Sequence, residues 1–174
     1  MANISSKVIP TLAPIFAQRL QHRRNSTYPE IWTLLDEVYD PELPGLTIWD
    51  LGVLQDVKKI EDCWHISITP TYSGCPAVEA MSDDIAAQLG NAGYSPVKVD
   101  VVLAPAWTTD MMSPQGRAHL KHIQIAPPDK QDKVECPRCD SSQTMLVSQF
   151  GSTACKALYQ CHSCHEYFDY FKHF

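Results

Sequence analysis

Two periods of apolar spacing alternate along this chain. Ile31, Leu34, Leu35 and Val38 fall at i, i+3, i+4 and i+7, the repeat of one helix face. The stretch "TYPE" precedes them. Thr27 as a cap, Glu30 reaching back to it and Pro29 in the first turn predict a helix starting at Thr27. It should end near Tyr39, ahead of Pro41. The "DPELPGL" that follows, Asp40 to Leu46, holds two prolines and a glycine and reads as a loop. The period then changes to two. Val53 and Val57 share one side of a first strand, and Trp64, Ile66 and Ile68 share one side of a second. A polar break at Glu61 and Asp62 turns the chain between them, so the pair predicts a hairpin. Val78, Met81, Ile85 and Leu89 restore the helical spacing until Gly90 and Asn91 stop it. Val97, Val99, Val101 and Leu103 alternate with Lys98, Asp100 and Val102 as a third strand. Pro105 ends it and leaves "AWTTDMMS" as a loop. Ser113 and Pro114 look like the cap and first turn of a short helix to about His122, with Gly116 as its weak point.

The result is an α/β (α+β) chain, with an α-β-β-α-β-α domain followed by a β module. Its expected parts are an N-terminal extension at residues 1–26, the α/β domain at 27–125, a linker at 126–133 ("APPDKQDK") and a cysteine-rich module at 134–174.

Composition narrows the function. The 174 residues, 44% hydrophobic, suffice for one full domain and a small appendage. A net charge of −6 speaks against general nucleic-acid binding. The first stretch is different: it has Lys7, Arg19, Arg23 and Arg24 but no acid before Glu30. An organelle transit peptide is one reading, and a frayed or loosely docked extension is the plainer one. "VIPTLAPIFAQRL" carries two prolines and is too short to span a membrane. No export signal accompanies the seven cysteines, an odd number. A reducing, cytoplasmic setting with metal or redox use of the thiols follows, rather than a disulfide scaffold.

Four of those cysteines form two C-x-x-C pairs, Cys136 with Cys139 and Cys161 with Cys164. Two intervening residues let a tight knuckle aim both sulfurs at one point. Two knuckles make a tetrahedral four-thiolate site for structural zinc, with Zn–S of ~2.3 Å. Mononuclear iron is the rival occupant. "CHSCH" also matches covalent haem attachment, but haem would leave Cys136 and Cys139 idle and needs an export context. Cys155, in "GSTACK", lies outside the pairs. It is either a packed thiol or a reactive or metal-contacting sulfur whose thiolate Lys156 favours.

Cys75 stands in "YSGCPA", between the second strand and the second helix. With Pro76 as first helical residue it would occupy the N-cap, where free amides and the helix dipole lower a thiol's pKa. It would then be a nucleophile or metal ligand. Otherwise it is an inert cysteine closing the turn. Asp40, Glu42, Thr69, Thr71 and Trp107 to Thr109 also lie at element ends, where sites are usually built.

Three stretches, "EVYDPELPGLTIWDLGVL", "ITPTYSGCPAVEAM" and "APAWTTDMMS", resemble the iron–sulfur assembly domain of eukaryotic cytosolic cluster-targeting factors and bacterial SufT-type proteins, from about Tyr28 to Ala126. With the "CPRC…FGSTACK…CHSC" tail, the chain resembles the PaaD-type accessory proteins of the bacterial phenylacetyl-CoA epoxidase system. The resemblance implies maturation rather than catalysis: help with iron–sulfur cluster assembly or delivery, in phenylacetate catabolism. The implied partners are the epoxidase subunits, above all the iron–sulfur reductase component, and the iron–sulfur assembly machinery. Cys75 takes the place of the family's cysteine, Asp40 and Glu42 of its acidic loop, and Thr69 and Thr71 of its hydroxyl-bearing turn. One sulfur holds a cluster poorly, so a homodimer, the target or a small thiol would complete the shell around a transient cluster. Three other readings compete. They are a thiol enzyme with Cys75 as nucleophile and His65 or Glu42 as base, a direct redox subunit of the epoxidase, and a nucleic-acid-binding ribbon.

Overall fold

The computed structural model describes residues 12–129, 131 and 133–174. Of the basic residues behind the transit-peptide reading, Lys7 lies outside this range and Arg19, Arg23 and Arg24 inside it. Helix α1 spans Pro14–Arg24 and α2 spans Pro29–Leu35. Strands β1, Leu54–Ile60, and β2, Cys63–Ile68, are antiparallel. Helix α3, Ala77–Asn91, then crosses to β3, Val97–Val101, which pairs parallel to β2. The sheet order is β1-β2-β3. A 3-10 turn at Thr109–Met111 leads to α4, Pro114–His122. The second sheet contains β4, Ile125–Ala126, β5, Thr144–Ser148, β6, Lys156–Cys161, and β7, Tyr167–Phe171, in the order β4-β7-β6-β5. Among the described residues no helix is long and apolar enough to cross a membrane.

The α+β reading holds in both parts, and the elements follow their apolar repeats. On α3 it is Met81, Ile85 and Leu89 that are buried, together with Ala77 at its start. Trp64, Ile66 and Ile68 form the inner face of β2. Ser113 caps α4 as expected, its Oγ accepting the Gly116 N–H at 2.8 Å.

Several expectations change. The Thr27 capping box does not form. Tyr28 is the cap residue of α2, without a side-chain bond, and the helix closes four residues short of Tyr39. Val38 is still buried. The residues around α1 are not frayed: Phe16 and Arg19 are buried. Arg19 donates to the carbonyls of Leu54 (2.7 Å), Trp49 (3.4 Å) and Met111, and lies 4.4 Å above the Trp49 ring. Burial lowers its pKa to about 10 even though Asp50 opposes the shift. The carbonyls stand in for lost water, which makes a buried guanidinium tolerable.

The two modules are joined by more than a tether. Ile125 and Ala126, at the expected start of the linker, form β4 and pair with Asp169 and Tyr170 of β7. Trp107 is buried, donates to the Leu51 carbonyl at 3.2 Å, and has Phe171 and Phe174 each 6.0 Å away, ring centre to ring centre. The Thr109 N–H also bonds the Phe174 carbonyl. Phe171 and Cys155 thus belong to the core of the α/β domain, while Phe168 and Tyr170 face the ribbon's own core.

Candidate functional site

Two sites of different character emerge. The first is the four-cysteine centre. Each knuckle is closed by a bond to its first cysteine's amide, Cys136 to the Ser141 carbonyl and Cys161 to the Glu166 carbonyl, both at 2.9 Å. Each turns through one left-handed residue, Asp140 at φ 58° and His165 at φ 61°. Ser141 and Ser163 bond across the gap at 2.7 Å, and Arg138 meets Glu166 at 2.6 Å. The sulfurs converge: Cys136 to Cys164 is 3.7 Å and Cys139 to Cys161 is 3.6 Å, with all four within 4.8 Å of one another. A regular tetrahedron of Zn–S bonds has edges of about 3.8 Å, so the donor set fits structural zinc. Amides of the second knuckle, Cys164 first and then Ser163, hold the Cys161 thiol down at about 6. His162 and His165 are exposed beside the knuckle. No further group of three or more Cys, His, Asp or Glu donors placed to hold a metal ion occurs among the described residues.

The second site surrounds Cys75. Gly74 adopts φ 87°, a left-handed conformation that lets the chain leave β2 sharply. An added Cβ there would meet nothing within 4 Å, so the turn opens outward. Cys75 is half-buried. It is not the N-cap. Pro76 takes that position and α3 begins at Ala77. The Cys75 sulfur accepts the Ala77 N–H and the Tyr72 hydroxyl, yet burial, with Glu42 and Asp40 nearby, raises its pKa. The expected lowering by the helix start is therefore overturned. One amide and one phenol do not offset desolvation and two acidic neighbours.

Asp40 and Glu42 lie close enough to Cys75 for their charges to add to the upward shift of its thiol. Asp40 is buried, and its Oδ1 accepts the Glu42 N–H at 2.8 Å. Burial pushes its carboxyl up; the Glu42 amide opposes this, and the Glu42 charge adds to it. Tyr72 was not singled out by sequence. Burial lifts its phenol to about 12, with further contributions from Cys75, Glu42 and Cys155. Its place three residues before Cys75 was the available signal. Thr69 and Thr71 are buried on the segment leading to the turn, but among the described residues neither hydroxyl bonds the sulfur. Trp107 serves packing. His65 binds Asp100, Nδ1 to Oδ2 2.6 Å, across β2 and β3.

Cys155 enters the core of the α/β domain from the ribbon. It is buried, and its sulfur lies 3.0 Å from the Thr153 hydroxyl. Burial raises its pKa; Thr153 and Lys156 oppose the shift, and Glu42 and Asp40 add to it. The favoured thiolate expected beside Lys156 is thus not what results. Lys156 is itself buried, with Nζ 3.8 Å from Asp169.

Comparisons with known proteins agree with this division. Residues 29–101 match the family model for an iron–sulfur cluster assembly protein, and residues 121–172 match that for the PaaD zinc beta ribbon domain. An Escherichia coli protein named as a component of 1,2-phenylacetyl-CoA epoxidase, an assignment its own name gives as provisional, is 50% identical over 141 residues. That alignment covers 77% of this chain and 86% of the other. A Porphyromonas gingivalis "Fe-S protein maturation auxiliary factor" is 32% identical over 96 residues, 54% of this chain and 90% of its own. The Bacillus subtilis "Fe-S protein maturation auxiliary factor YitW" is 38% identical over 88 residues, 49% and 85% respectively.

Proposed function

Because the chain belongs to the PaaD family, an iron–sulfur assembly domain joined to a zinc β-ribbon, we propose that it is a non-catalytic maturation factor. Cys75 is its working ligand for iron or an iron–sulfur cluster in transit. Cluster delivery to the phenylacetyl-CoA epoxidase system is its task, and the reductase component is its target. The observation that carries this reading is the half-buried Cys75 sulfur at an outward-opening turn, flanked by Asp40 and Glu42. A thiol kept neutral by its surroundings is a poor standing nucleophile, which counts against a thiol enzyme. A divalent iron reverses the local balance: it supplies the positive charge that the buried Asp40, Glu42 and the thiol lack, and the thiol deprotonates as it ligates. A single thiolate leaves coordination positions free, as a carrier that must release its cargo requires.

The test is co-expression of the epoxidase with wild type, Cys75→Ser or Cys136→Ser, followed by assay of cluster content in the reductase and of epoxidase activity. Cys75→Ser should keep zinc and fold but give a reductase poor in cluster. Cys136→Ser should lose zinc. A fully loaded reductase with Cys75→Ser would sink the proposal.

A further inference from the structure

The ribbon sheet ends on one side in a bare strand. In the order β4-β7-β6-β5, β5 has a neighbour on one flank alone. The His162 N–H bonds the Gln143 carbonyl at 2.8 Å, and Met145 stands opposite Gln160 two pairs further on. Antiparallel pairs alternate between bonded and non-bonded. Leu146, opposite Tyr159, therefore turns its N–H and C=O away from β6. The register shift between Leu146 and Ser148 comes after this residue and leaves it in phase. The side chains are equally open. Met145 is 47% exposed, Leu146 39%, Val147 45%, and Phe150 just beyond the strand 68%. Tyr167, in one cross-strand row with Met145 and Gln160, is exposed too. From Ser141 to Cys155 there is no Asp, Glu, Lys, Arg, His or Pro. The other sheet edges among the described residues are guarded. Strand β1 carries Asp56, Lys58 and Lys59, β3 carries Lys98 and Asp100, and β4 is two residues long. Charge and shortness keep an edge strand from pairing with another chain, and β5 has neither.

We infer that β5 is the edge through which two copies of this chain associate, β5 against β5, antiparallel about a two-fold axis at Leu146. The two ribbons then form one continuous sheet. Leu146 of each copy donates its N–H to the Leu146 carbonyl of the other. Met145 faces Val147 of the second copy, and Thr144 faces its Ser148, so apolar meets apolar and hydroxyl meets hydroxyl. Charge selects this occupant. Each chain has a net charge of −6, so two copies repel and come together most readily across a stretch without charge. A strongly acidic or basic partner finds no counter-charge between Ser141 and Cys155. An identical strand is self-complementary, as a two-fold contact requires.

The test is sedimentation equilibrium of the full-length, zinc-loaded protein. One short strand with its flanking aromatics makes a small interface, so the dimer should form between about 1 and 100 μM. Leu146→Lys sets two like charges face to face on the axis and should weaken the dimer at least about tenfold, with zinc retained. Leu146→Glu should do the same. Mixing these two variants should restore a dimer, which a folding fault in either would not allow. Met145→Lys, on the opposite face of the strand, should also weaken the dimer and decides the matter if the Leu146 variants lose zinc. Salt should tighten the wild-type dimer, because it screens the repulsion between the chains. A wild type that stays monomeric at about 100 μM, or zinc-retaining variants that dimerise like wild type, would overturn the inference. A mixture that stays monomeric, or a wild-type dimer that loosens with salt, would overturn it as well.

Discussion

At Asp40 and Cys75 local rules and tertiary surroundings pull in opposite directions. Helix-start logic placed a lowered pKa on Cys75; the folded chain buries it among acids and raises it. Asp40 shows the same sign, and for it the consequence for stability is measurable. A carboxyl with a folded pKa above its usual 3.8 binds its proton more tightly in the native state. Its contribution is fully present below that value and is lost as pH rises through the folded pKa. Asp40→Asn removes the penalty while keeping an oxygen for the Glu42 amide. Its stability relative to wild type should therefore increase from pH 4 towards neutrality, as read by urea unfolding at several pH values. A constant difference would contradict an upward shift at Asp40. Sequence picked out Cys75, Asp40, Glu42 and Cys155 because thiols and carboxylates at element ends are conspicuous. It missed Tyr72 and misjudged the thiols because burial depends on partners far away in the chain.

Among the elements, regular repeats were the legible part. Helix α3 and strands β2 and β3 lie where the periods of 3.6 and two put them. Helix α1 was not legible. Its charged Arg19 looks solvent-facing, and only carbonyls 30 to 92 residues away make it a core residue. Helix α4 shows the reverse case. Gly116 reads as a weakness, since glycine costs a helix about 1 kcal/mol against alanine. Here an added Cβ would lie 2.6 Å from the Asp50 carbonyl oxygen. The same Asp50 accepts the Ser113 hydroxyl at 2.5 Å and the Ser113 amide at 2.9 Å. Gly116→Ala should therefore destabilise the protein, by about 1–3 kcal/mol, despite its better helix propensity. Thermal or urea unfolding decides it, and a stabilised variant would show that the helix can shift away from Asp50.

Across the whole molecule the zinc centre and the core of the α/β domain are linked through the ribbon's docking edge. The knuckles set β6 and β7, at whose far ends Phe171 and Phe174 meet Trp107. Small metal modules draw much of their folding free energy from the ion. Chelation of zinc should thus melt the ribbon and also uncover Trp107. The expected signals are loss of β circular dichroism and a red shift in tryptophan emission that Trp107→Phe abolishes. An unchanged emission after zinc loss would mean that the docked edge stands without the metal.

Ile125 and Ala126 lie alongside β7 as its outer neighbour, although they are reached directly from the last helix of the preceding module. A dissection that cuts the chain after residue 126 would strip the ribbon of that neighbour and bare a row of main-chain amides and carbonyls along Asp169 and Tyr170. Such a fragment would be prone to stack on its own copies. Recombinant ribbons should accordingly begin before Ile125, with α4 included.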